Sequence, residues 1–256
     1  MENNMKFTEG YWLLSERTNG QFASQAYHIE AMENGLRVVA PTSPVLSRGD
    51  TLNRPTITIE FLAVSPEVIS VRAWHYEGYR TGEARFEKKE TTCDAVVTIT
   101  ENEAVLDAGR VSVHVDRKNW GYSFWADGKL LTSSGFHNLG YVRWDKRVSS
   151  MLPQDNYMKE HEYTPYMTQD LLLAPGENVY GFGERFTAFV KNGQAVETWN
   201  EDGGTASQVA YKNIPFYMTN RGYGVFVDHT GNVSFEVASE KVELSLIHIS
   251  EPTRPY

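Results

Sequence analysis

The sequence predicts an all-β domain of the sandwich type. Three observations carry this: apolar residues alternate with polar ones, turn residues separate the alternating runs at short intervals, and helical periodicity is nearly absent. Ile57, Ile59 and Phe61 alternate with Thr56, Thr58 and Glu60, which puts one set of side chains on a single strand face. Ile69, Val71 and Ala73 repeat the pattern after Ser65-Pro66, followed by Ala95, Val97 and Ile99, then Val111, Val113 and Val115. Trp120, Tyr122 and Phe124 lead into Asp127-Gly128, and Leu130-Leu131 lead out. Asp-Gly suits a type I′ hairpin, because both central residues must accept positive φ. Glu101-Asn102-Glu103 and Ala108-Gly109 mark two further breaks. Val225 and Val227, then Val233, Phe235 and Val237, resume the alternation.

Two regions depart from this pattern. Residues 145–168 are polar, contain Pro153 and Pro165, and do not alternate; they predict a long excursion with at most one short helix. Residues 244–256 share neither the alternation nor the composition of what precedes them. The stretch from Ile247 to Tyr256 resembles translated sequencing-adapter read-through, so 244–256 is expected to be a non-native tail. The alternative is a short strand with a frayed end. No repeat, low-complexity tract or linker divides the rest, and residues 1–243 are expected to form one domain.

Composition excludes several functions. Lys and Arg number 24 against 33 Asp and Glu, a net charge of −9, which repels phosphate backbones and anionic lipid; nucleic acid and membrane are not expected partners. Neutral partners such as sugars are untouched by this argument. Residues 1–6 lack a basic start leading into an apolar run, and no stretch reaches the ~20 apolar residues of a membrane span, so a cytoplasmic location is expected. Cys93 stands alone among 256 residues, ruling out an internal disulfide or a multi-cysteine metal site. Asn232-Val233-Ser234 matches the glycosylation pattern, a chance match in a chain that is not secreted. The seven histidines include no pair at i, i+4, so no metal or other cofactor is expected; His114 and His229 read as ordinary polar residues of strands or turns. Gly181-Phe182-Gly183 opens like a dinucleotide loop, but Phe186 takes the place of the third glycine and no helix pattern follows. The Gly-x-Ser-x-Gly elbow of serine hydrolases is missing.

The densest chemistry lies at 179–189, 196–204 and 210–225. Trp199 beside Asn200, Glu201 and Asp202 is suited to sugars: an aromatic face for C–H-rich ring surfaces, with amide and carboxylate groups for hydroxyls. Gly203-Gly204 would let the backbone turn sharply behind them. For most neighbours a packing role suffices. Phe216, Tyr217 and Phe226 are expected in the core, Glu184 and Arg185 as a structural ion pair at a strand end, and glycines 181, 183, 222 and 224 at turns or close approaches.

Taken together, Tyr180-Gly181-Phe182-Gly183-Glu184-Arg185-Phe186, Trp199-Asn200-Glu201-Asp202-Gly203-Gly204 and Tyr211-Lys212-Asn213-Ile214-Pro215-Phe216-Tyr217 closely resemble family 31 of the glycoside hydrolases, especially bacterial α-xylosidases. Asn138-Leu139-Gly140-Tyr141-Val142 and Ser239-Glu240-Lys241-Val242 extend the resemblance to about residue 242. It implies an N-terminal galactose-mutarotase-like β-sandwich that packs against a catalytic (β/α)₈ barrel absent from this chain. Family members are retaining enzymes, in which one Asp attacks the anomeric carbon and a second carboxyl acts as acid, then base. Both lie on the barrel, so no catalytic residue is expected here. By the same resemblance Asp202 contacts substrate from a loop at the barrel mouth, with Trp199 and Asn200 supporting it. The isolated chain is then expected to be inactive, with an α-xyloside as substrate of its parent. An α-glucosidase parent shares the same motifs. A stand-alone carbohydrate-binding module and a structural or homo-oligomer-forming domain are the other readings.

Overall fold

The computed structural model describes residues 7–8, 10, 13–16, 18–52, 54–76, 86–87, 93–135, 137–145, 163–201, 203, 205 and 209–250. After β1 (Thr18–Phe22), the chain meanders through β2 (His28–Met32), β3 (Gly35–Pro41), β4 (Thr56–Ser65) and β5 (Val68–Trp74), which form a four-stranded antiparallel sheet. A second meander, β6 (Val96–Ile99), β7 (Glu103–Asp107), β8 (Val111–Asp116), β9 (Gly121–Ala126) and β10 (Lys129–Ser134), forms a five-stranded sheet. In the turn between β9 and β10, Asp127 and Gly128 both have positive φ, 50° and 73°, as a type I′ turn requires. The inward residues of the two sheets share one core. It holds Leu36 and Val38 of β3, Ile57, Ile59 and Phe61 of β4, Leu106 of β7, and Val113 and Val115 of β8, all with no exposed surface. Phe61 meets Tyr122 of β9 edge-on at 5.2 Å, the favoured aromatic geometry.

The second half contains β11 (Leu139–Asp145), β12 (Tyr163–Leu172), β13 (Val179–Glu184), β14 (Gln194–Glu197), β15 (Lys212–Thr219), β16 (Gly224–Phe226), β17 (Val233–Val237) and β18 (Leu244–Ser250). Six strands pair in the order β1-β11-β12-β18-β17-β14, and three in the order β13-β15-β16. Between these sheets lies a second core with Val179 and Phe182 of β13, Tyr217 of β15, and Val233, Phe235 and Val237 of β17, all fully buried. Thr132 and Ser134 of β10 donate side-chain hydrogen bonds to the carbonyls of Leu172 and Asp170 on β12, tying the two halves together.

The expected excursion at 145–168 is corrected in part. Tyr163–Leu172 is a ten-residue strand buried between β11 and β18. Pro165 misled the sequence reading, since proline cannot donate to a ladder. Among the described residues its register partner is Arg143 of β11, and it lies one residue beyond the Tyr166–Ser250 pair that ends the described pairing with β18. Residues 146–162 lie outside the described residues.

Residues 244–250 run as β18, antiparallel to both β12 and β17. The backbone fits its slot better than the side chains do. Ser245 and His248 are fully buried or nearly so; the Ser245 hydroxyl faces that of Tyr217, and neither His248 ring nitrogen makes a hydrogen bond among the described residues.

Candidate functional site

The site is built where β13 and β15 meet the segment after β14. Pro215 of β15 has no N–H for the ladder, and β15 bulges there: Ile214, Pro215 and Phe216 stand opposite Phe182 alone, between the Gly181–Tyr217 and Gly183–Asn213 pairs. Gly181, Phe182 and Gly183 all take positive φ, at 129°, 68° and 84°. A Cβ on Gly181 would lie 2.6 Å from the Phe216 carbonyl oxygen, and one on Gly183 only 2.1 Å from that of Lys212. Both glycines are therefore close-approach positions, and the bulge re-aims the residues that follow.

Arg185 directly follows β13, just past this irregular pairing. Its guanidinium donates to the Glu197 carbonyl at 2.7 and 3.1 Å and to the Asn213 side-chain oxygen. Burial pulls it below the ordinary guanidinium value, opposed by the nearby Glu197 carboxylate. The expected Glu184–Arg185 ion pair does not form. Consecutive residues of a strand point to opposite faces; Glu184 pairs instead with Lys212 at 3.1 Å.

Asn213 is the hub. Its amide nitrogen donates to the carbonyls of Trp199 (2.8 Å) and Ala210 (2.6 Å) and to the Asn200 side-chain oxygen (3.0 Å). Its backbone N–H donates to that same oxygen at 3.0 Å. Asn200 forms a parallel bridge with Ala210, and the Glu201 N–H donates to the Ala210 carbonyl, closing the loop at its base. Inside the loop, a Cβ on Gly203 would lie 2.3 Å from the Val209 carbonyl oxygen. The two chain segments approach too closely there for any side chain.

Trp199 and Asn200 are thus brought together on one anchored loop, the Trp199 side chain 49% exposed. Asp202 lies outside the described residues. Asn213 and Arg185 were missed as site residues by the sequence reading. Arg185 was expected in an ion pair with Glu184, and Asn213 stood only as one residue of the Tyr211–Tyr217 motif.

Beside this loop lies an apolar face that is covered only in part among the described residues: Phe86 packs edge-on to Phe226 at 5.3 Å. Tyr217 points inward from β15, so Ile214, Phe216 and Met218 point outward by the strand's period of two. Met218 is cross-strand partner of Tyr180, and Phe216 of Phe226. Ile214, Met218 and Phe226 are each about half exposed. The expectation that Phe216 and Phe226 are core residues is corrected accordingly; only Tyr217 is. Among the described residues no group of three or more His, Cys, Asp or Glu could hold a metal ion, and no helix is long and apolar enough to cross a membrane.

A model of the glycosyl hydrolase 31 N-terminal galactose mutarotase-like domain matches residues 57–236. The chain belongs to glycoside hydrolase family 31, as its N-terminal β-domain. Among curated relatives, the α-xylosidase XylQ of Lactiplantibacillus pentosus is 40% identical over 244 residues, covering 93% of this chain and 29% of the relative. An α-xylosidase of Emericella nidulans is 35% identical, covering 93% of this chain and 31% of the relative. The chain therefore spans about a third of the length of these relatives. The fold superposes on a cycloalternan-forming enzyme from Listeria monocytogenes, solved with a pentasaccharide substrate. The TM-score is 0.69 at 16% identity, covering 91% of this chain and 20% of that one.

Proposed function

We propose that the chain is the accessory domain of a retaining α-glycosidase whose full-length form removes terminal α-xylosyl residues, and that it supplies one wall of the substrate site. The observation that carries this is the anchored loop. Arg185 and Asn213 hold its base by hydrogen bonds to three backbone carbonyls, while the Trp199 indole stands half exposed. A binding group is best held by a rigid supporting shell. Asp202 is the residue on this loop that would contact a sugar hydroxyl, with Trp199 and Asn200 holding the loop in shape. The partner of the outward face of β13, β15 and β16 is the catalytic barrel, since an apolar patch of this kind marks an interaction surface.

The α-xyloside rather than α-glucoside assignment rests on the identity to α-xylosidases across 93% of the chain. We also infer that residues 244–256 are a non-native tail. The two unbonded ring nitrogens of buried His248 on β18 support this: a strand that evolved in this slot would fill it with apolar or bonded groups.

The test is a fusion in which residues 1–243 replace the matching segment of the Lactiplantibacillus pentosus α-xylosidase. Hydrolysis of p-nitrophenyl α-xyloside is expected from the fusion and none from the isolated chain. In the fusion, Asp202→Ala should raise KM strongly. Turnover by the isolated chain, or an Asp202→Ala fusion with unchanged kinetics, would refute the proposal.

A further inference from the structure

The solvent face of the five-stranded sheet carries a second constellation, remote in sequence from the 199–204 loop. On β8 and β9, Ser112 pairs with Trp125 and His114 with Ser123, so alternation brings all four side chains to the outward face. His114 Nε2 lies 3.2 Å from the Ser112 hydroxyl, and its Nδ1 lies 3.6 Å from a Glu103 carboxylate oxygen. The Trp125 indole N–H donates to the Ser123 hydroxyl at 2.8 Å. The two rings sit 5.7 Å apart, inclined at 50°. Each ring is therefore held in one orientation by a neighbour on its own strand, on a face where water would otherwise satisfy it.

Hollows flank this ring pair. One of about 270 Å³ extends toward Asp107, Arg110 and Asp127; the other, about 560 Å³, toward Asn102, Asp116, Asn119 and Ser133. His114 and Trp125 line both, so the hollows form one trough with an aromatic saddle at its middle. β8 alone has six residues, and at ~3.3 Å per residue the trough follows roughly 20 Å of strand.

Its chemistry selects the ligand. The carboxylates Glu103, Asp107, Asp116 and Asp127 line it against two cations, Arg110 and Lys118. Arg110 is already paired with Glu67 and Asp127. Anions are repelled, whereas carboxylates, hydroxyls and amides suit a neutral polyol, and an indole face suits the C–H surface of a sugar ring. Asp116 accepts from the backbone N–H groups of Lys118 and Asn119, which holds the β8–β9 turn. A site whose rotamers and turns are already fixed loses little entropy on binding.

We propose that this trough is a carbohydrate-binding site that takes a neutral oligosaccharide, with a sugar ring stacked on Trp125 and its hydroxyls met by His114, Glu103 and Ser133. The assignment does not depend on which glycoside the parent enzyme cleaves.

The test uses the ¹⁵N-labelled chain, with a xyloglucan heptasaccharide and isomaltotriose as probes and the indole N–H resonances as readout. The Trp125 resonance should shift saturably with at least one probe. By titration calorimetry, used because these variants lack the reporting indole, Trp125→Ala should weaken binding at least about tenfold while Trp125→Phe retains most of it; Trp199→Ala should leave the Trp125 shift unchanged. His114→Ala, on the same exposed face, should weaken binding severalfold and serves if the Trp125→Ala protein does not fold. A Trp125 resonance unmoved by both probes, or undiminished binding in Trp125→Ala or His114→Ala, overturns the proposal. Binding that is abolished by Trp199→Ala also overturns it and transfers the affinity to the 199–204 loop.

Discussion

The His248 imidazole of β18 lies 4.0 Å from the Glu236 carboxylate of β17, both side chains almost wholly removed from water. Phe7 packs edge-on to the imidazole at 4.8 Å, and Thr168 of β12 and Ser234 of β17 are its cross-strand partners. Burial pushes the His248 pKa down from 6.5 to about 4; desolvation of the cation outweighs the attraction of the facing carboxylate. Above about pH 6.5 the imidazole is neutral in both folded and unfolded chains. As pH falls, the unfolded chain takes a proton that the folded chain refuses until about pH 4. Stability should therefore drain between those values by on the order of 3 kcal/mol. Urea melts across pH 4–7 should show this limb, and His248→Val should flatten it and raise the midpoint at pH 5. A variant with an unchanged acid limb would place the titration elsewhere.

Asn213 holds the 199–210 loop by two backbone carbonyls and one side-chain oxygen. Asn213→Ala removes side-chain hydrogen bonds to Trp199, Ala210, Asn200 and Arg185 together, and a side-chain hydrogen bond contributes ~0.5–1.5 kcal/mol net. The variant should unfold at lower urea, by about 2 kcal/mol, with the Trp199 indole resonance narrowing as the loop gains freedom. Asn213→Asp should not rescue it, because a carboxylate cannot donate to these acceptors.

Gly183 and Gly193 have nearly the same φ, 84° and 83°, but a Cβ meets the Lys212 carbonyl at 2.1 Å in the first case and nothing within 4 Å in the second. Gly193→Ala should cost only the left-handed backbone penalty, ~1–2 kcal/mol. Gly183→Ala adds a clash with a carbonyl that cannot move without breaking the β13–β15 ladder, so a loss above about 3 kcal/mol is expected. Paired urea melts separate conformation from contact. Equal losses would mean the bulge relaxes.

Much of the fold was legible because the relevant signal is local. Strand alternation at Ile57–Phe61 and Val111–Val115, and the Asp127-Gly128 turn, depend only on neighbours in sequence. β12 was hidden because its flanks, β11 and β18, are distant in sequence, and because both of its faces are buried, with Tyr166, Met167 and Thr168 in succession removed from water, so it need not alternate. Within the site, Trp199 and Asn200 announced themselves as an aromatic beside an amide. Arg185 and Asn213 did not, since their partners are backbone carbonyls, which look identical in every sequence. Phe216 and Phe226 were misassigned for a related reason: period two fixes that Phe216 opposes Tyr217, but not which of the two faces water.

The outward face of β13, β15 and β16 should govern the behaviour of the isolated chain. Ile214, Met218 and Phe226 stand about half exposed on it, and Phe189, 78% exposed, leans on Tyr180 at 5.2 Å. Soluble monomers seldom leave contiguous apolar patches beyond a few hundred Å² uncovered. Self-association rising with concentration is therefore expected in sedimentation velocity, together with binding of an apolar dye. Ile214→Glu with Met218→Glu should suppress both. Folding stability should change by no more than about 0.5 kcal/mol, because both side chains already meet water. In the fusion with a catalytic barrel the same pair should have the opposite value: two carboxylates buried at an apolar interface should cut α-xylosidase activity severely and loosen the N-domain to protease. A doubly substituted fusion with full activity and unchanged protease resistance would show that the barrel docks on another face.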